Sequence, residues 1–119
     1  MVYGAAAVPL PGGGWGVRLE RDMETRTVCG FRRTASVFSI ILTAVDALEM
    51  VRAYRARESR ILDDVDDESR KEICLNMIPG ESYSLEWWGK GKVIEDDLWS
   101  DWPEAFMAEV ESVAKEASE

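Results

Sequence analysis

Histidine is missing from the 119 residues of this chain, and cysteine occurs only twice. Without histidine, the chain cannot use an imidazole as a general base or metal ligand, and Ser-His or Cys-His nucleophile pairs are excluded. Cys29 and Cys74 lie among apolar neighbours without the spacing of a metal site, so we expect two buried, unreactive thiols. Much of ordinary enzyme chemistry is therefore unavailable.

Targeting and membrane-spanning signals are also lacking. The first fourteen residues, MVYGAAAVPLPGGG, contain neither a basic start nor an uninterrupted apolar stretch. The longest apolar run, residues 37–57, includes Asp46 and Glu49. Each of these acids would cost about 2.5–3.5 kcal/mol at the centre of a bilayer. We therefore expect a protein of the reducing cytoplasm that does not enter a membrane.

Positive charge is scarce in the second half of the chain. Residues 1–60 hold nine arginines against six acids (+3), whereas residues 61–119 hold five Lys/Arg against seventeen acids (−12), for a total of −9. A net acidic domain lacks the usual electrostatic footprint of a nucleic-acid binder. The acidic half instead favours contact with a protein partner, and an acidic mimic of nucleic acid that occupies a basic partner is a further alternative.

The longest apolar run predicts a core helix over residues 37–57. Polar side chains recur along one stripe at Ser39, Thr43, Asp46 and Glu49, while apolar ones line the opposite side. Thr34 or Ser36 would cap this helix. The predicted buried face comprises Val37, Ile41, Ala44, Val45, Leu48 and Val51.

The remaining pattern predicts strands and helices around this run in one domain, residues 1–119. Strands are expected over residues 1–8, 15–20, 26–33, 60–65 and 83–88. A short helix should begin at Asp66 or Asp67 and run through Met77, and a last amphipathic helix should start near Pro103. The predicted class is α+β, with a central mixed sheet and helices packed on it.

Two stretches resemble a known family. GAAAVPLPGGGWGVRLE, followed by CGFRRTASVFSIILTAVDALEMV, resembles the opening of type 1 ribonucleases H, and YSLEWWGKG resembles that family's last strand. The resemblance covers residues 2–52 almost without a gap and implies an RNase H-like fold. That family hydrolyses the RNA strand of RNA–DNA hybrids with two Mg²⁺ ions held by four carboxylates.

The carboxylate positions of that family are only partly kept. Carried over residue by residue, the first falls on Tyr3 and the second on Ile40, neither of which is a carboxylate ligand. The resemblance therefore implies a catalytically degenerate RNase H-like domain without a cofactor, acting as a structural or protein-interaction module. The alternative is an active nuclease that recruits Mg²⁺ and an RNA–DNA hybrid through a shifted acidic site, whose candidates are Asp64, Asp66, Asp101 and Glu111.

An aromatic pair gives the most specific expectation for partner binding. Trp99 and Trp102 lie three residues apart in a segment rich in acids. Desolvated aromatic side chains at the centre of a contact carry much of its energy. We therefore predict that a protein partner docks at Trp99 and Trp102, unless both indoles simply pack at the sheet edge or helix end.

Overall fold

The computed structural model describes residues 2–26, 32–77, 83–98 and 103–118. Within these ranges it contains seven strands and two α-helices, which confirms the α+β class. They are β1 (Val2–Pro9), β2 (Trp15–Arg26), β3 (Arg32–Thr43), α1 (Ala44–Ala56), β4 (Arg60–Asp63), β5 (Lys71–Met77), β6 (Tyr83–Gly89), β7 (Lys92–Leu98) and α2 (Pro103–Ala117). Neither helix in the described ranges is both long and apolar enough to cross a membrane.

The described strands form two antiparallel sheets in place of the single mixed sheet expected from the sequence. One has the order β1-β2-β3 and the other β4-β5-β6-β7. The edge of β3 lies beside the second sheet, because the N–H of Val65 donates to the carbonyl of Ile41 at 2.9 Å. Nearby, Lys71 Nζ donates to the carbonyl of Ser39 at 3.0 Å. The two sheets therefore meet along β3.

The predicted helix over residues 37–57 is wrong in its first third, because β3 continues to Thr43. Phe38, Ile40 and Leu42 are buried and alternate with less buried neighbours, which is the two-residue period of a strand. Aromatic and β-branched side chains favour such a half-buried surface. The apolar run thus contains two consecutive elements that a single helical period had merged.

Helix α1 begins only where a side chain can cap it. Thr43 Oγ1 accepts the backbone N–H of Asp46 at 3.1 Å, so Thr43 is the N-cap, and the caps expected at Thr34 and Ser36 are wrong. The buried side chains of α1 are Ala44, Ala47, Met50, Val51 and Ala53, whereas Val45 is 75% exposed. The predicted buried face was therefore correct at Ala44 and Val51 and wrong at Val45.

The second half of the chain is richer in strands than predicted. One turn of 3₁₀-helix over Asp67–Ser69 replaces the helix expected through Met77, and the chain then enters β5. Arg70, with a φ of 54°, ends that turn in a left-handed conformation. Strand β7 was not predicted at all. The expected strand over residues 83–88 and the last helix from Pro103 are confirmed as β6 and α2.

One apolar core joins both sheets and both helices. Its largest fully buried side chains come from every layer and include Leu19, Ile40, Met50, Leu85, Trp87 and Met107. A buried ion pair also connects the sheets: Arg21 on β2 donates to both carboxylate oxygens of Asp97 on β7, at 2.7 and 2.8 Å. The second sheet is thus held by its inner face, which leaves its other face turned outward.

Candidate protein-binding face

The β4–β7 sheet has one apolar face and one acidic face. Ile73, Leu75, Leu85 and Trp87 fill the core side. Since residues directly opposite in a sheet share a face, strand register defines the other side as two rows that cross all four strands. These rows are Ile61–Cys74–Glu86–Asp96 and Asp63–Glu72–Trp88–Val93. We call these eight residues the outer face.

Acids stand directly opposite one another in both rows of the outer face. Asp63 on β4 is opposite Glu72 on β5, and Glu86 on β6 is opposite Asp96 on β7. Cβ atoms of such pairs are about 4.5–5.5 Å apart, and like charges at this spacing destabilise a sheet. None of the eight positions holds Lys or Arg. The outer face therefore carries four acids and no basic residue among its eight positions.

Hydrogen bonds orient the central acid of this face. Trp88 Nε1 donates to one carboxylate oxygen of Glu86 at 2.9 Å, and Asn76 Nδ2 donates to the other. Apolar surface lies around these groups, since Ile61 is 60% and Val93 is 44% exposed and Trp88 is partly exposed. The outer face thus combines one oriented carboxylate, that of Glu86, with exposed apolar side chains.

Cys74 lies beneath the acids of the outer face and is almost fully buried. Burial raises the pKa of its thiol, and the neighbouring carboxylates of Glu86, Glu72 and Asp63 raise that pKa further. A thiol held in its protonated form is a poor nucleophile. The expectation that Cys74 is buried is therefore confirmed, whereas Cys29 lies outside the described residues.

The carboxylates proposed for a shifted nuclease site bind backbone N–H groups. Asp64 is 8% exposed, and its carboxylate accepts the N–H of Asp66 at 2.8 Å and that of Ile41 at 3.4 Å. Asp66 in turn accepts the N–H of Glu68 at 3.0 Å and caps the 3₁₀ turn. Both acids therefore stabilise the end of β4 and the turn that follows it.

The other candidate carboxylates lie apart or outside the described ranges. Glu111 on α2 forms an ion pair with Arg55 on α1, which lowers the pKa of the Glu111 carboxyl. Asp101 falls among the residues that the structure does not describe. Across the described ranges, no group of three or more Cys, Asp or Glu side chains is arranged to hold a metal ion.

The two positions that the resemblance assigned to lost ligands belong to the core. Tyr3 on β1 packs against Phe106 and Trp87, with ring centroids 5.4 and 6.4 Å away. Ile40 is fully buried on β3, whereas the resemblance had placed it on the central helix. Tyr3 thus packs against the apolar core, and Ile40 is part of it.

The predicted docking residues Trp99 and Trp102 lie outside the described residues, so that prediction stays a prediction. Sequence reasoning missed Asp63, Glu72 and Asp96 as members of one face. The local pattern did not indicate this face, because Ile73, Cys74 and Leu75 are three consecutive buried residues of β5 and do not alternate with polar ones.

Comparison with protein-family models found no match, and searches among curated proteins and among solved structures found none either.

Proposed function

We propose that this chain is a non-catalytic protein-interaction module whose outer face binds a basic surface of a partner protein. The observation that carries the proposal is the pair of directly opposed acids in each row of that face. This proposal keeps the degenerate, partner-binding part of the RNase H-like interpretation and moves the contact from the tryptophan pair to the sheet.

The opposed acids lower the stability of the free protein. Each such pair costs roughly 0.2–1 kcal/mol relative to a neutral pair, and a single lysine in either row would remove the repulsion. Proteins commonly lose some folding stability at functional sites, where binding requires an arrangement of side chains that is unfavourable in the free protein. Lysine or arginine side chains of a partner placed between the carboxylates would convert both repulsions into attraction.

The exposed apolar side chains supply the second part of such a contact. Trp88 lies beside Glu86, and Ile61 and Val93 lie on β4 and β7. Desolvated aromatic and aliphatic groups provide binding energy, whereas the surrounding charges steer association and make it depend on salt. We therefore expect a partner surface with basic residues opposite the four acids and apolar side chains opposite Trp88, Ile61 and Val93.

A titration with a basic probe tests this proposal. Nona-arginine added to ¹⁵N-labelled protein should shift the amide signals of outer-face residues first, and the shifts should weaken as salt is raised. The variant Asp63→Asn/Asp96→Asn removes one charge from each opposed pair. It should bind the probe about tenfold more weakly and should unfold at a higher denaturant concentration, because both repulsions are relieved.

A variant with the same net charge provides the control. Glu104→Gln/Glu116→Gln neutralises two exposed acids of α2 away from the outer face. It should bind the probe within about twofold of the wild type, since only distant charges change. Equal loss of binding in both variants would mean that the probe senses net charge alone, and the proposed face would be rejected.

The acidic mimic of nucleic acid is a narrower form of the same proposal. It applies if the basic partner also binds nucleic acid, and duplex DNA should then compete with this chain for that partner. A nuclease function has less support, because Asp64 and Asp66 are bound to backbone N–H groups. A location in the reducing cytoplasm stays part of the proposal.

A further inference from the structure

A cavity of about 240 Å³ opens beside the turn between β6 and β7. Its walls combine apolar and basic groups, namely Phe38, Ser69, Lys71, Gly89, Lys90 and Ile94. Phe38 forms the deep wall, because it is only 6% exposed and packs edge-on against Trp87 with ring centroids 5.5 Å apart. Ile94 is 44% exposed and forms the rim. Ligand sites typically have this apolar lining with a few polar groups.

The ammonium group of Lys71 is positioned at this cavity. Its Nζ donates to the carbonyl of Ser39 at 3.0 Å and lies 5.6 Å from the centroid of the Phe38 ring. An ammonium group has three N–H donors, so two remain after the bond to Ser39. Lys71 can therefore donate to an anion without giving up its anchor.

The turn also fixes the backbone of the second lysine. Lys90 and Gly91 have φ values of 53° and 79°, the positive pair expected of a two-residue type I′ hairpin turn. The N–H of Lys90 donates to the carbonyl of Arg70 at 3.0 Å, which ties the turn to the segment before β5. The Lys90 side chain thus starts from a defined position on the cavity wall.

The basic residues at this end of the molecule form no ion pair within the described part of the chain. Arg70, Lys71, Lys90 and Lys92 have no carboxylate oxygen within 4.0 Å in the part of the chain that the structure describes. They are four of the five basic residues in the acidic second half. The fifth, Lys115, contacts Glu111. Two of these cations, Lys71 and Lys90, line the cavity.

We propose that this cavity binds a carboxylate that is attached to a small apolar group. The carboxylate would accept hydrogen bonds from Lys71 and Lys90, and the apolar part would contact Phe38 and Ile94. Two sources share this chemistry, a free organic acid and the C-terminus of a peptide that ends in an apolar residue. The site is independent of the outer face, because none of its residues belongs to that face.

Titrations of the ¹⁵N-labelled protein with phenylacetate and phenylacetamide test the site. These probes have closely similar shapes and differ in charge. Phenylacetate should give saturable shifts of the Ser69, Gly89 and Ile94 amide signals, and phenylacetamide should bind at least about fivefold more weakly, the fold-change of an exposed ion pair. The proposal would be overturned if neither phenylacetate nor a peptide ending in Gly-Phe gave saturable shifts. It would also be overturned if phenylacetamide bound as tightly as phenylacetate.

Three variants separate the contribution of charge from that of shape. Lys90→Gln and Lys71→Gln should each weaken phenylacetate binding about fivefold, and Lys90→Gln alone decides the point if Lys71→Gln fails to fold. Gly89→Ala keeps both charges but narrows the cavity, since its added methyl would lie 3.4 Å from Ile94 Cγ1 and 3.8 Å from Phe38 Cε2. These are ordinary contacts, so the fold should tolerate the change while binding is lost.

Lys115→Gln is the matched control, because it removes one positive charge from α2. It should leave phenylacetate binding unchanged within about twofold. Equal weakening by Lys115→Gln and Lys90→Gln, or full binding by Gly89→Ala, would contradict a site in this cavity.

A peptide ending in Gly-Phe, tested with a free and with an amidated C-terminus, then distinguishes the two sources. Binding of the free peptide or of phenylacetate supports the proposal and identifies which source fits.

Discussion

Removing the carboxylate of Asp97 should be among the most destabilising single changes in this protein. Asp97 and Arg21 are each 5% exposed, and the guanidinium donates to both carboxylate oxygens. Trp87 Nε1 donates to the same carboxylate at 3.1 Å. Asp97→Ala would leave the Arg21 charge inside the protein without this partner and the Trp87 indole without this acceptor. This contact also joins the two sheets.

The expected loss can be worked out from these contacts. Removing one partner of a buried ion pair costs about 3–5 kcal/mol, because the other charge stays buried without compensation. A chain of 119 residues is expected to have about 6–18 kcal/mol of total stability. Asp97→Ala would therefore remove a large share of it. In contrast, Arg21→Met combined with Asp97→Leu should recover much of this loss, because both charges are gone. A deficit of about 1–3 kcal/mol should remain, because the buried Trp87 indole still lacks its acceptor.

Urea unfolding followed by tryptophan fluorescence measures both variants. Asp96→Asn is the control, because Asp96 immediately precedes Asp97 on β7 and is exposed on the outer face. It should leave stability unchanged or raise it by up to about 1 kcal/mol. The reasoning would be refuted if Asp97→Ala cost less than about 1 kcal/mol, or if the double variant were as unstable as the sum of its two single changes.

Two further predictions concern the helix start and alkaline pH. Thr43→Ala should lower the free energy of unfolding by about 0.5–2 kcal/mol, because it removes the N-cap of α1. Val45→Ala, two residues later at a position that is 75% exposed, should change it by less than about 0.5 kcal/mol. Chemical denaturation measures both variants, and equal effects would contradict the cap. Burial, the largest cause, raises the pKa of Tyr3, Tyr54 and Tyr83. The folded protein therefore keeps these phenolic protons where the unfolded chain loses them. Stability should be unaffected below about pH 10 and should fall above it. The tyrosinate absorbance of the folded protein should rise at a higher pH than that of the protein unfolded in urea. If the two titration curves coincided, the predicted effect of burial would be refuted.

The sequence predicted the class of fold and several elements because their periods were unambiguous. Trp15, Val17 and Leu19 alternate with polar or small residues, and β2 forms there. In α2, Phe106 and Val110 recur at helical spacing, and both are buried. The prediction for the residues after Phe38 was wrong because their apolar side chains fit both the two-residue period of a strand and the period of a helix. Tertiary pairing with β2, which local pattern does not encode, decided that β3 continues to Thr43.

The candidate site was predictable only in its general character. Net charge indicated that the second half would be the contact surface, but it did not show which acids would share a face. That depends on the register between β4, β5, β6 and β7. Because β5 was predicted as a helix and β7 was missed, the opposition of Asp63 to Glu72 and of Glu86 to Asp96 could not be foreseen.

The neighbouring acids Asp96 and Asp97 show why composition alone describes this protein incompletely. Successive side chains of a strand point to opposite faces of the sheet. Asp97 points inward, where Arg21 compensates its charge, and Asp96 points outward, where it lies opposite Glu86. Two adjacent residues of one acidic run thus have opposite consequences, since one joins the sheets and the other repels its neighbour. A shift of β7 by one residue would exchange them, burying an uncompensated carboxylate and exposing the partner of Arg21. The buried ion pair therefore favours the one strand register that presents the acids of the outer face.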